Sequence, residues 1–146
     1  MLDRSRIGHE FPPFTVEIEK GRLRFFAKAI GETNPIYTEE SSARAAGHPT
    51  IPAPPTFMFC VDLDSPEFLP AVRLLNLDMG RMLHGTQEFS YFGQIYAGDR
   101  ITQRSRIVDI YDKKAGALEF VVQENSYTNQ NGELVGKALQ TLVYRN

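Results

Sequence analysis

The segment Thr56-Phe57-Met58-Phe59-Cys60-Val61 is apolar almost all round. It constrains the chain more than any other stretch, because a helix without a polar face belongs in an interior. The rigid run Ile51-Pro52-Ala53-Pro54-Pro55 leads into it in extended form. Four runs rich in β-branched and aromatic residues follow: Leu83 to Tyr91, Arg100 to Tyr111, Leu118 to Thr128 and Leu134 to Tyr144. Gly98-Asp99, Lys113 to Gly116 and Asn131-Gly132 separate the last three from what precedes each of them, which makes all four runs strands. The Asn-Gly pair predicts a two-residue type I′ turn, whose central positions both need positive φ. A short alternating run, Phe14 to Ile18, stands ahead of all this as a first strand. Strand, buried helix, then four antiparallel strands is an α+β order in which a curled antiparallel sheet wraps one central buried helix.

Between the first strand and the central helix lies a second helix with one apolar face. From Glu19 to Ile30 the residues Leu23, Phe26, Ala27 and Ile30 fall at i, i+3, i+4 and i+7, and Gly31 is placed to end the helix. The loop Gly31-Glu32-Thr33-Asn34-Pro35-Ile36-Tyr37 therefore starts at a helix C-terminus, and Pro35 holds the residue before it extended. Thr38 reads as the cap of a short helix through Ala46, closed by Gly47. Pro66 and Pro70 interrupt the region after the central helix, so Glu67 to Leu77 reads as a separate short helix or an irregular excursion.

With 146 residues the chain fits one domain, 1–146, without repeats, linkers or low-complexity tracts. A formal charge of −2 gives no electrostatic footprint for nucleic acid or an anionic membrane surface. No apolar signal segment follows Met1-Leu2-Asp3-Arg4-Ser5-Arg6, and no run is long enough to span a bilayer. A soluble, cytoplasmic protein is expected. The single cysteine, Cys60, excludes an intrachain disulfide and reads as a small buried side chain. His9 and His48 have no partner at metal-ligand spacing, so no metal site is expected.

The loop Gly31 to Tyr37 resembles the signature of MaoC-like (R)-specific enoyl-thioester hydratases and 3-hydroxyacyl-thioester dehydratases, roughly Gly-Asp-x-Asn-Pro-(aliphatic)-His. Glu32 stands where that Asp would be and Tyr37 where the His would be. The resemblance extends over nearly the whole chain through Ala53-Pro54-Pro55-Thr56-Phe57, Leu83-His84-Gly85-Thr86-Gln87-Glu88-Phe89 and Ala97-Gly98-Asp99. It is closest to the N-terminal, fatty-acid-synthase-type dehydratase branch, in which the signature is commonly degenerate and a neighbouring domain or subunit carries the catalytic pair. It implies a hot-dog fold, an acyl thioester of coenzyme A or acyl carrier protein as substrate, a place in fatty acid metabolism, and no cofactor.

The two departures bear on chemistry. Hydration of a conjugated thioester needs one group to deprotonate water and another to manage the proton at the α carbon, which a carboxylate and an imidazole can share. A phenol with an ordinary pKa of about 10 is a poor base at pH 7. Glu for Asp lengthens the arm by one methylene, and a misplacement of about 1 Å can cost roughly a hundredfold. In catalytic relatives a backbone N–H at the start of the central helix, commonly from glycine, stabilises the thioester oxygen. The resemblance puts Pro54 near that glycine, and proline has no N–H. Thr56 is the first donor after Pro54 and Pro55.

The residues that carry these implications also have plainer readings. Catalytic candidates are Glu32, Tyr37, Asn34 and His84; substrate-binding candidates are Pro54, Pro55, Thr56, Phe57, Phe59 and Gly85. Glu32 also reads as a solvated acid, Tyr37 as a packing aromatic, Asn34 as a turn stabiliser, His84 as a structural histidine and the prolines as a rigid approach. Gly85 would let another backbone or a ligand come close. Arg100, Arg104 and Arg106 share a strand face that could meet phosphates or an acidic carrier, or simply water.

The expected role is the substrate-accommodating partner of a catalytic MaoC-like subunit, with Phe57, Phe59 and apolar strand faces forming an acyl tunnel. The alternatives are a self-sufficient homodimeric hydratase using Glu32 and Tyr37 with His84, and a hot-dog protein that binds acyl thioesters without catalysis. An open sheet edge predicts dimerisation in each case.

Overall fold

In the computed structural model, which describes residues 1–67 and 69–146, five strands form one antiparallel sheet. They are β1 (Glu10–Glu17), β2 (Met82–Tyr91), β3 (Arg100–Lys113), β4 (Leu118–Thr128) and β5 (Leu134–Arg145), in the order β1-β3-β4-β5-β2. Among the described residues four α-helices accompany them: α1 (Lys20–Ala29), α2 (Glu40–Ala45), α3 (Met58–Asp62) and α4 (Pro70–Leu74). The expected hot-dog arrangement is present. No helix among the described residues is long and apolar enough to cross a membrane.

Several local expectations are corrected. β1 starts at Glu10 rather than Phe14 and takes in Pro12 and Pro13, which an edge strand tolerates where the register slips between Phe11 and Phe14. Glu39 rather than Thr38 precedes α2, without a side-chain cap on its backbone, while Thr38 closes the preceding 3₁₀ turn. The β4–β5 connection is not a two-residue type I′ turn. Gly132 has φ +77° but Asn131 is not left-handed, because the Asn129 side chain accepts from the N–H groups of Asn131 (3.0 Å) and Glu133 (3.1 Å) and holds a five-residue loop between the strands. In the Glu67 to Leu77 region a one-turn helix, α4, begins at Pro70, and Phe68 lies outside the described residues.

The central helical segment is short, a 3₁₀ turn over Pro55–Phe57 followed by α3. Met58 sits directly over Gly136 of β5, where an added β-carbon would lie 2.8 Å from the Met58 sulfur. Val61 packs in the same cluster as Met58 and Phe57, with Ile101, Tyr127 and Ala138 of the sheet and Leu23 of α1. A second apolar cluster, Phe11, Ala71, Ile107, Ile110, Val121 and Leu142, occupies the end of the sheet beneath α4. Between them the inward positions turn polar: Gln103 and Ser105 on β3, Gln123 and Asn125 on β4 and Gln140 on β5 are all buried. The alternation in β3 changes phase after Ile107, where the register shifts around Val108, so that Ile107 and Ile110 both point inward.

Candidate functional site

The loop that follows α1 is fixed by its own hydrogen bonds. Gly31, at φ +71°, ends the helix in a paired pattern: its N–H donates to Lys28 O (3.1 Å) and the Glu32 N–H to Ala27 O (2.9 Å). Glu32 Oε1 then accepts from the Asn34 N–H at 2.9 Å, and Asn34 Oδ1 accepts from the Ile36 N–H at 3.2 Å, capping the 3₁₀ turn Pro35–Tyr37. Glu32 and Asn34 thus stabilise backbone. Tyr37 is half-buried, and its hydroxyl has no hydrogen-bond partner among the described residues.

At the start of the central helix Pro54 is buried and its carbonyl accepts from the Phe57 N–H at 2.9 Å. Pro55 and Thr56 are exposed. Pro54, Pro55 and Met58 form one wall of a groove of about 110 Å³, with Tyr91, Gly93 and Gln94 opposite. Phe57 is 1% exposed and belongs to the core, its ring edge-on to Phe26 at 5.3 Å with the Arg22 guanidinium above it. Of the two aromatics expected to line a tunnel, only Phe59 faces the interior cavity, and its ring lies 5.6 Å from that of His84. His84 is exposed, with Nε2 3.2 Å from Thr86 O. At Gly85 the strand register shifts, and what approaches closely is β5: an added β-carbon would lie 2.7 Å from Val143 and 3.1 Å from Thr141 O.

The interior cavity, about 60 Å³, lies between α3, α4 and the sheet. Phe11, Phe14, Phe59 and Leu142 supply its apolar lining; Asp62, Gln103, Ser105, Gln123 and Gln140 supply the polar side. The expectation of apolar strand faces is therefore wrong here. Tyr127 donates its hydroxyl to both carboxylate oxygens of Asp62 (2.8 and 2.9 Å), and Gln103 Nε2 donates to Oδ1 at 3.1 Å. Burial pushes the Asp62 carboxyl up to about 6, against the opposing pull of these donors. Burial and the neighbouring carboxylate push the Tyr127 phenol upward as well, so it stays a donor.

Gln123 Nε2 donates to Ser105 Oγ (2.7 Å) and Asn125 Oδ1 (3.1 Å). Both polar atoms of the Gln87 amide are buried without partners among the described residues. Each such group costs about 1–3 kcal/mol if nothing satisfies it. Sequence reasoning passed over this belt, although the signal was there. Asp62 falls four residues after Met58 and one after Val61, on the face that α3 turns inward.

The remaining histidines have structural partners. His9 packs edge-on to Phe11 at 4.9 Å, and His48 Nδ1 lies 3.1 Å from the Tyr96 hydroxyl. Arg106 pairs with Glu124 at 3.0 Å, while Arg100 and Arg104 are exposed. Cys60 is half-buried, and desolvation pushes its thiol upward, away from the reactive range.

Residues 5–138 match the family described as "FAS1-like, dehydratase domain region". The chain belongs to that family. It is 37% identical over 145 residues to a UPF0336 protein from Streptomyces griseus, covering 99% of this chain and 95% of the relative. Among solved structures it is similar to a chain of the C-terminally truncated HadBC (3R-hydroxyacyl-ACP dehydratase) complex from Mycobacterium tuberculosis, at 28% identity and TM-score 0.80 over 94% of this chain and 96% of that one. The ChsH1-ChsH2 complex from the same organism shares the fold at 22% identity and TM-score 0.77, covering 94% and 89%. The chain is thus a dehydratase-like hot-dog protein of the MaoC-like group.

Proposed function

We propose that this chain is the substrate-accommodating subunit of an acyl-thioester hydratase or dehydratase, acting on trans-2-enoyl or 3-hydroxyacyl groups carried by coenzyme A or acyl carrier protein. A catalytic MaoC-like subunit supplies the aspartate and histidine. The observation that carries this reading is the loop: the Glu32 carboxylate is turned onto the Asn34 N–H, and Tyr37 occupies the position of the imidazole. Neither group is arranged to take a proton from water at neutral pH. Two adjacent prolines at the start of the central helix point the same way, since neither offers a backbone donor to a developing oxyanion.

The partner docks along β2. That edge strand carries exposed Leu83 (51%) and Tyr91 (49%), and Phe92 (61%) follows directly. An open edge with apolar side chains calls for pairing. The similarity to a chain of the HadBC complex supports a heteromeric assembly. The chemistry needs only a carboxylate, an imidazole and water, so no cofactor is invoked, and the cytoplasm is the proposed compartment.

Co-expression with a hot-dog protein carrying an intact Gly-Asp-x-Asn-Pro-x-His loop, followed by co-purification and an enoyl-thioester hydration assay, tests the proposal. The pair should purify together and turn over at ordinary enzymatic rates, about 10 per second, with the chain alone far slower. A chain that reaches that rate alone refutes the division of labour. A chain that is monomeric at micromolar concentration and ignores every such partner refutes the assembly.

A further inference from the structure

We infer that the cavity between α3 and the sheet receives a neutral, oxygen-bearing segment of the acyl group, a hydroxyl or carbonyl carried on the chain away from the thioester, and that Gln140 is the residue that reads it. This rests on the acyl-thioester reading above and narrows it to a substrate class.

Gln140 is 9% exposed, lines the cavity, and its amide has no hydrogen-bond partner among the described residues. The polar neighbours around it are partly occupied. Gln103 uses its amide nitrogen on Asp62, and Gln123 uses its own on Ser105 and Asn125. What remains among the lining side chains is the whole Gln140 amide, the second N–H of Gln103, the Ser105 hydroxyl proton, and the amide carbonyls of Gln103 and Gln123. That set suits a hydroxyl, which accepts once and donates once, or a ketone, which accepts.

A run of methylenes suits it badly, because it would displace water from the amides and return no hydrogen bond. Carboxylate-ended chains are disfavoured too, since Asp62 lines the same cavity and ionises above about pH 6. At about 60 Å³ the space admits a few heavy atoms and not a long tail. Phe59 and Leu142 provide apolar walls for the carbons that carry the oxygen.

The test compares decanoyl-CoA with hydroxydecanoyl-CoA isomers in which the hydroxyl is moved one carbon at a time, titrated by calorimetry into the full chain together with any co-purifying catalytic partner. One isomer should bind about tenfold tighter than decanoyl-CoA, a difference of about 1.4 kcal/mol. Gln140→Leu should abolish that preference or reverse it. Because a core variant can fold poorly, the unsubstituted protein provides a second measurement. The side-chain NH₂ resonance of Gln140 should shift with the preferred isomer and not with decanoyl-CoA. Equal binding of all ligands with an unmoved Gln140 resonance would mean that the cavity holds only water, which overturns this inference and leaves the acyl-thioester reading intact. If none of the thioesters binds, both fall together.

Discussion

The loop Gly31 to Tyr37 and the cavity beneath α3 are both rich in polar side chains, and they differ in where those groups direct their hydrogen bonds. In the loop the Glu32 carboxylate and the Asn34 amide close on neighbouring backbone N–H groups, so the turn is satisfied from within. In the cavity Gln140 has no protein partner among the described residues, and beyond its lining, on the edge strand, Gln87 keeps both polar atoms unpartnered. Polar groups satisfied locally hold a shape, whereas buried polar groups left open call for something to complete them. The place where the family signature falls and the place with unfilled capacity are thus not the same.

The largest effect comes from trying to make the loop catalytic. Tyr37→His together with Glu32→Asp should raise hydration of crotonyl-CoA by the chain alone by about 10², the lower end of what general acid–base groups contribute. A double variant that folds, binds the thioester and gains nothing would move the limiting defect to the start of the central helix, making Pro54→Gly in that background the next measurement.

The cavity has a corresponding test in pH. Asp62 titrates at about 6 in the folded chain, against an ordinary value of 3.8, because burial disfavours its charge. Between those two values the native state holds a proton that the unfolded chain has released. This contribution to stability is therefore complete below the unfolded value and is lost as pH rises through the folded one, by about 3 kcal/mol for a shift of roughly two units. Urea unfolding from pH 4 to 7 should show this decline, and Asp62→Asn should remove most of it. An unchanged slope in the variant would mean that another group titrates. Glu40 works in the opposite sense at lower pH. Lys20 beside it, then Thr50, hold it down to about 2, so its contribution is present above 4.5 and lost as pH falls toward 2.

Much of this fold was legible because it rests on periodic patterns. The helix that became Lys20–Ala29 followed from four apolar residues on one face and a terminal glycine, and β4 was bounded at Leu118 and Thr128 by turn residues on both sides. What escaped depends on contacts that spacing does not encode. The left-handed turn expected at Asn131-Gly132 was pre-empted by the Asn129 side chain, while Lys114 and Ala115 adopt φ +53° and +51° in the β3–β4 connection, where no Asn-Gly pair advertises it. The polar belt was within reach of period-two reasoning: Gln103 and Ser105 alternate in step with Ile101 and Ile107, and Gln123 with Val121. Asp62 lies one residue beyond the apolar run Thr56 to Val61, so nothing in that run marks its carboxylate as part of a site.

A smaller effect should separate structural from functional polarity in the loop itself. Asn34→Ala removes the cap on the Ile36 N–H and should cost about 1 kcal/mol in denaturant unfolding, as lost caps do. Acyl-thioester affinity should be unchanged, since Asn34 does not line the cavity. A loss of affinity beyond the loss of folded protein would return the loop to the binding site.

The smallest effect is expected at Gln87, which extends the polar belt onto the edge strand. It pairs with Gln140 across the β2–β5 ladder and so faces the same side of the sheet, where both atoms of its amide are buried without partners among the described residues. Replacing an unsatisfied amide with an apolar group of similar size removes a desolvation cost without breaking a bond, so Gln87→Leu should stabilise the chain, by up to about 1 kcal/mol. Its inward direction also keeps it out of an edge-to-edge contact, whose hydrogen bonds come from the backbone of β2, so assembly measured by light scattering should not change. Destabilisation would instead mean that an ordered water or an incoming ligand normally completes Gln87. The unfilled part of the belt would then run across the sheet from β3 to β2, and the cavity beneath α3 would be only its enclosed end.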